Sequence, residues 1–475
     1  MVIWEIAVWL VLFALLLGLY FTVTSATREA DGEDSVPKLI CKPSALSSYL
    51  TRNCKSFWLC PRAGWPHFQT LYSGLWPGPG SLHLVREHLQ MSDGGVIGLD
   101  WAVSGEEELG EGNRRYRDTP PPILLLIPNN LGAVSGHCRR LLQLALRRGY
   151  RPLLFNRRLH NSVPLTSRRL LPFGDPSDLR EAVSYIRYKH PLAPLFAASE
   201  SSGSALLLSY LGECGSSSYM TAAACISPIL RCQHWLEDGP HGLYRWFMLC
   251  YQKTSLSRAQ ILYRTVAGSM LGLFDVLEAA SRAADIVDQA DGCADKPMSD
   301  NRRYATVLGE IIDTEKLFRS CTLRELEETL FCQSKVNNLS WASYWEKNDP
   351  LRDVDEVAVP LLCICSKDDP CRGNPEVTLP FELFETNPYF FLLLTNHGGH
   401  CGFLTSSCSS WSHEAVLEYF KSVSDFFRAE ERTKSIYRRK RSITSHKRRG
   451  PATHKESVCF QNIHEIFNWQ RSYTR

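Results

Sequence analysis

A chain of 475 residues with 44% hydrophobic and 11% aromatic side chains can bury a large core. Its net charge of +3 carries no nucleic-acid signature, and no motif asks for a cofactor. Seventeen cysteines, an odd number in so long a chain, exclude a small disulfide scaffold, and without a C-x-x-C pair a metal site is not expected.

From Ile3 to Val23 only Glu5 is charged, a stretch long enough to span a bilayer. A cleaved signal peptide would want a basic start and a shorter apolar core, so residues 1–26 are read as an uncleaved signal-anchor, with membrane association through residues 3–23. Secretion after cleavage is the alternative. Residues 27–110 are expected to form an extension that packs on the main domain. It contains the block Trp65-Pro-His-Phe-Gln-Thr70 and an alternating stretch, Glu87 to Trp101, broken by the hairpin signal Asp93-Gly-Gly95. Gly105 to Pro122 reads as a surface loop.

The main domain, 111–430, alternates apolar runs with helical patterns. Ile123 to Ile127 is a strand, followed by the turn Pro128-Asn-Asn-Leu-Gly132 and a helix from Cys138 to Arg148. Tyr150 to Asn156 is the next strand, and Asp178 is expected to cap the helix that follows. Leu195 to Ala198, Ala222 to Ile226, Pro360 to Cys365 and Tyr389 to Thr395 complete the set, with Cys363 and Cys365 acting as small hydrophobes. This alternation predicts an α/β fold: a mostly parallel sheet with helices on both faces and its ligand site beyond the carboxyl ends of the strands. Residues 228–345, helical and aromatic-rich, read as a helical lid insertion. Trp411 to Phe427 is a closing amphipathic helix. Beyond Glu431 come nine Lys or Arg up to Arg449 and no acid, so 431–475 is read as a solvated basic tail, with a protein partner as its functional reading. Asn338-Leu-Ser340 is a glycosylation sequon.

The strand at Leu195 runs into Ser199-Glu-Ser-Ser-Gly203 and then a helix, which is the context of a nucleophile elbow. In the G-x-S-x-G frame Ser201 is the nucleophile, and Ser199 stands where glycine is usual. The frame centred on Ser202 is disfavoured because Glu200 would then occupy the tightest contact. Asp369, in Ser366-Lys-Asp-Asp-Pro370, and His400, in Asn396-His-Gly-Gly-His-Cys-Gly402, follow later strands in the order nucleophile, acid, histidine. His400 would take the serine proton, and Asp369 would hold the imidazole tautomer. Asp368 and His397 are the neighbouring rivals. Glycines 398, 399 and 402 are expected to let the histidine loop pass close to the elbow. The oxyanion donors would be the backbone N–H of Ser202 and that of Asn130, in a turn lacking the usual His-Gly.

Trp65-Pro-His-Phe-Gln-Thr70, Asp93-Gly-Gly95 through Asp100-Trp101, Ser366-Lys-Asp-Asp-Pro370 and Gly398-Gly-His-Cys-Gly-Phe403 resemble the α/β-hydrolase family 4, the membrane-anchored abhydrolase group. Cys41-Lys-Pro-Ser-Ala45, Phe173-Gly-Asp-Pro-Ser-Asp178 and the terminal Ile466 to Arg475 are telling blocks of one branch of it. The resemblance covers roughly residues 40–475. It implies an α/β-hydrolase fold, an N-terminal anchor or signal, and ester hydrolysis on lipid substrates by Ser201, Asp369 and His400. Two features depart from the family pattern: the Ser-x-Ser-x-Gly elbow, and the segment Ala259 to Arg302, which looks like an insertion. A serine hydrolase of lipid esters is therefore expected. A hydrolase-fold protein with little or no activity, acting as a regulator or scaffold in lipid metabolism, is the alternative.

Overall fold

A computed structural model describes residues 36–447, apart from 104–119, 259–310 and the short stretches 60, 62–63, 77–81, 132–133, 162, 164, 168, 173, 240–241, 336–338 and 406–408. The expected anchor at 3–23, the whole insertion at 259–302, Asn338 of the sequon and the tail beyond Lys447 lie outside the described residues. Among the described residues no helix is long and apolar enough to cross a membrane.

Nine strands form one sheet: β1 (Lys38–Ile40), β2 (His83–Gln90), β3 (Val96–Val103), β4 (Ile123–Ile127), β5 (Arg151–Asn156), β6 (Leu195–Glu200), β7 (Ala222–Ile226), β8 (Leu361–Ser366) and β9 (Phe390–Thr395). Their spatial order is β1-β9-β8-β7-β6-β4-β5-β3-β2. The central pairs from β5 to β9 are parallel, and β1, β3 and β2 join antiparallel at the two edges. Strands β4, β6, β7, β8 and β9 are wholly buried because both of their faces are covered, which is why they read as largely apolar runs.

The helices are α1 (Ala45–Asn53), α2 (Pro66–Leu75), α3 (Gly136–Arg147), α4 (Ser177–Lys189), α5 (Gly203–Cys214), α6 (Cys232–Asp238), α7 (Gly242–Arg258), α8 (Thr314–Arg319), α9 (Leu323–Glu327), α10 (Trp341–Asn348), α11 (Pro375–Thr378), α12 (Phe381–Thr386) and α13 (Trp411–Lys447). Strand parity divides the core. Ile123, Leu125 and Ile127 face α4 and α5, through residues such as Leu179, Ile186 and Leu207. Leu124 and Leu126 face α1, α3 and α13, through Leu46, Leu141 and Phe420. Between β7 and β8, helices α6 to α10 build a third cluster that meets α5 at Ala205 and the loop after β8 at Cys371.

One element differs from the sequence reading. Asp178 is not the cap of α4: that helix begins at Ser177, and Asp178 lies in its first turn, buried against Arg158. The Arg158 guanidinium joins Asp178 to Asp93 of the β2–β3 hairpin turn, so the carboxylate is tied to tertiary structure rather than to the helix end. The basic segment starts within a helix, a point the sequence reading did not address. Burial fades after Phe427, but α13 continues to Lys447, because Ala, Glu, Lys and Arg are strong helix formers.

The crossing that places the site is that of β6 and α5 under the end of β4. A Cβ on Gly203 would lie 2.2 Å from the Pro128 carbonyl oxygen. Gly203→Ala should therefore lower the unfolding midpoint sharply or abolish soluble protein. Gly74→Ala, in α2 with nothing within 4 Å of its new methyl, should be neutral or stabilising by up to about 1 kcal/mol in denaturant titration.

Candidate active site

Ser201 follows the last residue of β6 with φ at +49°, a left-handed conformation costly for a side chain with a Cβ. The surroundings hold it there. Its N–H donates to the Ile226 carbonyl at 2.9 Å, and its own carbonyl accepts from the Ser204 hydroxyl. Ser199, where glycine is usual, is fully buried, and its hydroxyl lies 3.2 Å from the Cys225 Sγ on the neighbouring strand. The elbow thus takes a serine at that position by giving its hydroxyl a partner in β7.

The structure brings Ser201, His400 and Asp369 together, although 199 positions separate the first two. Ser201 Oγ is 2.7 Å from His400 Nε2. His400 Nδ1 lies 2.8 and 3.0 Å from the two oxygens of Asp369. Asp369 also accepts the backbone N–H groups of Cys371 and Arg372, each at 2.9 Å. Burial would raise its carboxyl, but His400, Arg372 and these amides outweigh burial and hold it below the usual carboxylate range. Asp369 is therefore ionised at neutral pH, and the imidazole presents Nδ1–H to it and a bare Nε2 to the serine hydroxyl.

The rival pair does a different task. Asp368 accepts the Gly399 N–H at 2.9 Å and sits 3.6 Å from His397, which is 44% exposed. It braces the histidine loop from within.

Helix α2 holds the same loop from outside. Thr70 Oγ1 accepts the His400 N–H at 2.9 Å, Gln69 accepts the Leu404 N–H at 3.1 Å, and the Ser73 hydroxyl donates to the Cys401 carbonyl. A Cβ on Gly399, where φ is +58°, would lie 2.5 Å from the Pro66 carbonyl. The glycines of this loop therefore make room for α2 and for the loop's own fold, not for the elbow as the sequence suggested. Tyr244 of α7 joins the cover through a 2.8 Å hydrogen bond with His67.

The expected oxyanion donors lie side by side with a difference. The Ser202 N–H has no partner among the described residues. The Asn130 N–H already donates to the Ser202 Oγ at 3.0 Å, and the Leu131 N–H donates to Asn129 Oδ1 at 3.0 Å. The turn is fixed by Arg157, which donates to Asn130 Oδ1 at 2.9 Å, and by Glu200, which accepts from Asn129 at 2.9 Å and from Ser135 at 2.8 Å. Glu200 also accepts from His137 Nδ1 at 3.1 Å. Burial holds the His137 imidazole neutral, while hydrogen bonds from His137 and Ser135 overcome burial to keep Glu200 ionised. The sequence reading weighed Glu200 only as an obstacle to the Ser202 frame. The signal that finds it is parity: Phe196 and Ala198 face α3, so Glu200 does too.

Asp369, Cys371 and His400 have potential metal-binding atoms within 4.8 Å of one another, the one such grouping among the described residues. Two of the three are bonded to each other, and burial pushes the Cys371 thiol well up, so it stays protonated.

Two measurements check this arrangement. Thr70→Val strands the His400 amide and should cost about 1–3 kcal/mol in denaturant unfolding, whereas Thr70→Ser should stay near wild type. The second is acid lability. Burial depresses His137, His413 and His160, the last to about 3, so each takes a proton only on unfolding once pH falls below about 6.5. Glu327, lifted by burial to about 7, works in the opposite sense, as do Asp178 and Asp368, which burial also raises, while His190 adds a fourth depressed imidazole. The urea midpoint should therefore decline from pH 7.0 to 5.5, at up to about 1.4 kcal/mol per pH unit for each uncompensated histidine. A flat or rising midpoint would contradict these charge states.

No family model matches the chain. Protein ABHD15 from Homo sapiens is 47% identical over 464 residues, covering 95% of this chain and 88% of that protein. Phospholipase ABHD3 from Bos taurus is 24% identical over 405 residues, covering 82% of this chain and 84% of that one. Monoacylglycerol lipase ABHD2 from Macaca fascicularis is 24% identical over 416 residues, covering 84% and 87%. With the parallel sheet, the two helical layers and likeness along almost its whole length to ABHD15, the chain belongs to the abhydrolase family of the α/β-hydrolase superfamily.

Proposed function

We propose that this chain is a serine hydrolase that cleaves carboxylic esters of lipids. The observation that carries the reading is the line of hydroxyl, imidazole and carboxylate through Ser201, His400 and Asp369. In the reaction Ser201 Oγ attacks the ester carbonyl as its proton passes to His400 Nε2. The imidazolium is stabilised by the Asp369 carboxylate and then gives the proton to the departing alcohol. Water, deprotonated by the same nitrogen, releases the acid from the acyl-serine. No charge needs to reach Asp369, whose hydrogen bonds keep it anionic throughout. Relatives named as a phospholipase and a monoacylglycerol lipase favour a lipid acyl group over a peptide. Attachment to a membrane through residues 3–23 and a protein partner for the basic segment beyond Glu431 complete the proposal. The first suits a lipid substrate, which partitions into a membrane.

The test is hydrolysis of p-nitrophenyl and monoacylglycerol esters by purified full-length chain. Ser201→Ala should lower kcat/KM by more than about 10⁴-fold, and Asp369→Asn by about 10⁴-fold, through loss of the correct imidazole tautomer. Hydrolysis absent from the wild type, or unchanged in Ser201→Ala, would favour a chain kept as a scaffold. Alkaline carbonate extraction of cell membranes checks the anchor: the full chain should stay in the pellet, and a chain lacking residues 1–26 should be released.

A further inference from the structure

The amide expected to supply the second oxyanion donor, that of Asn130, is already engaged, and so is its neighbour's. An N–H carries one hydrogen. The hydrogen of Asn130 is directed at the Ser202 Oγ at 3.0 Å, and that of Leu131 at Asn129 Oδ1 at 3.0 Å. The turn cannot readily advance to release them. Its Asn130 side chain is held by Arg157, and its Asn129 side chain by Glu200. Ser202 is itself buried, next in sequence to the nucleophile, and its backbone is helical, with φ at −66° and ψ at −21°. Its hydroxyl oxygen accepts from Asn130, while its hydroxyl hydrogen has no acceptor among the described residues. A hydroxyl that accepts on one side is a better donor on the other, because hydrogen bonds in a chain polarise one another.

Resting on the serine-hydrolase reading above, we infer that Ser202 supplies both donors of the oxyanion hole: its backbone N–H, and its side-chain hydroxyl carried on the Asn130 amide. As the carbonyl oxygen of a bound ester becomes an oxyanion, the Ser202 hydroxyl rotates its hydrogen to it and keeps accepting from Asn130. No proton is transferred and no bond breaks at Ser202. The arrangement accounts for the missing His-Gly. Where a glycine turn offers a bare amide, this chain has a bulkier Asn-Asn turn, and the hydroxyl of the residue after the nucleophile extends its reach. It also gives a use to the serine at a position that the elbow's geometry leaves free to vary.

The experiment measures kcat and KM for a p-nitrophenyl ester, and the second-order rate of labelling by a fluorophosphonate, on full-length wild type, Ser202→Ala, Ser202→Thr and Ser202→Cys. Loss of one oxyanion donor predicts a fall of about 100-fold in kcat for Ser202→Ala, with KM within about twofold and labelling slowed in parallel. Ser202→Thr, which keeps the hydroxyl, should retain most of the activity. Ser202→Cys keeps the shape but has a weak donor, and should fall by about 10-fold or more, so the answer survives if the alanine variant folds poorly. If Ser202→Ala is as fast as wild type, the hydroxyl is a bystander. If it is faster, the hydroxyl is a cap that must move aside to free Asn130. Either result overturns the inference while leaving the triad intact. A wild-type chain that neither labels nor hydrolyses would remove the hydrolase reading and this inference with it.

Discussion

The site depends on one close approach. Strand β6 must turn into α5 within three residues while the end of β4 passes directly over the turn. Only a residue without a Cβ fits at 203, because the Pro128 carbonyl already occupies that space. The same compression drives Ser201 to positive φ, and its backbone is pinned there by Ile226 on the next strand. Strain of this kind persists only where the surroundings over-determine it. Here it lifts a hydroxyl out of the sheet edge toward the loop that follows β9.

The second half of the site is assembled from distant parts. The histidine loop is held by Asp368 from inside and by α2 from outside, so a helix more than three hundred residues upstream fixes the height of His400. The electrostatics follow from burial. Imidazoles without a strong partner, such as His413, are kept neutral, whereas carboxylates that collect several donors, Asp369 and Glu200, stay charged. The outcome is a fixed anion beneath each half of the site: one orienting the imidazole, the other bracing the turn beside Ser201.

Much of this was legible in the sequence. The central strands announced themselves as short apolar runs, because a parallel sheet covered on both faces needs no alternation. Ser201, Asp369 and His400 could be picked out because each follows such a run in the order the fold dictates. What could not be read were contacts that depend on three-dimensional packing. The Trp65–Thr70 block stood out by composition, but nothing local says that Thr70 meets His400. Asp178 looked like a cap because it begins an amphipathic pattern, and only the fold reveals Arg158 opposite it. The hydrogen bond between Ser202 and Asn130 depends on a rotamer, which no pattern encodes.

The central claim is that the geometry at the carboxyl edge makes the hydroxyl of residue 201 reactive while the many other serines of the chain are not. Peptide mapping by mass spectrometry after fluorophosphonate treatment of the folded protein addresses it most directly. The account predicts a phosphonyl adduct confined to the peptide that carries Ser201 and lost in His400→Ala. An adduct on a different serine, or none on the native chain under conditions that label a control serine esterase, would contradict it.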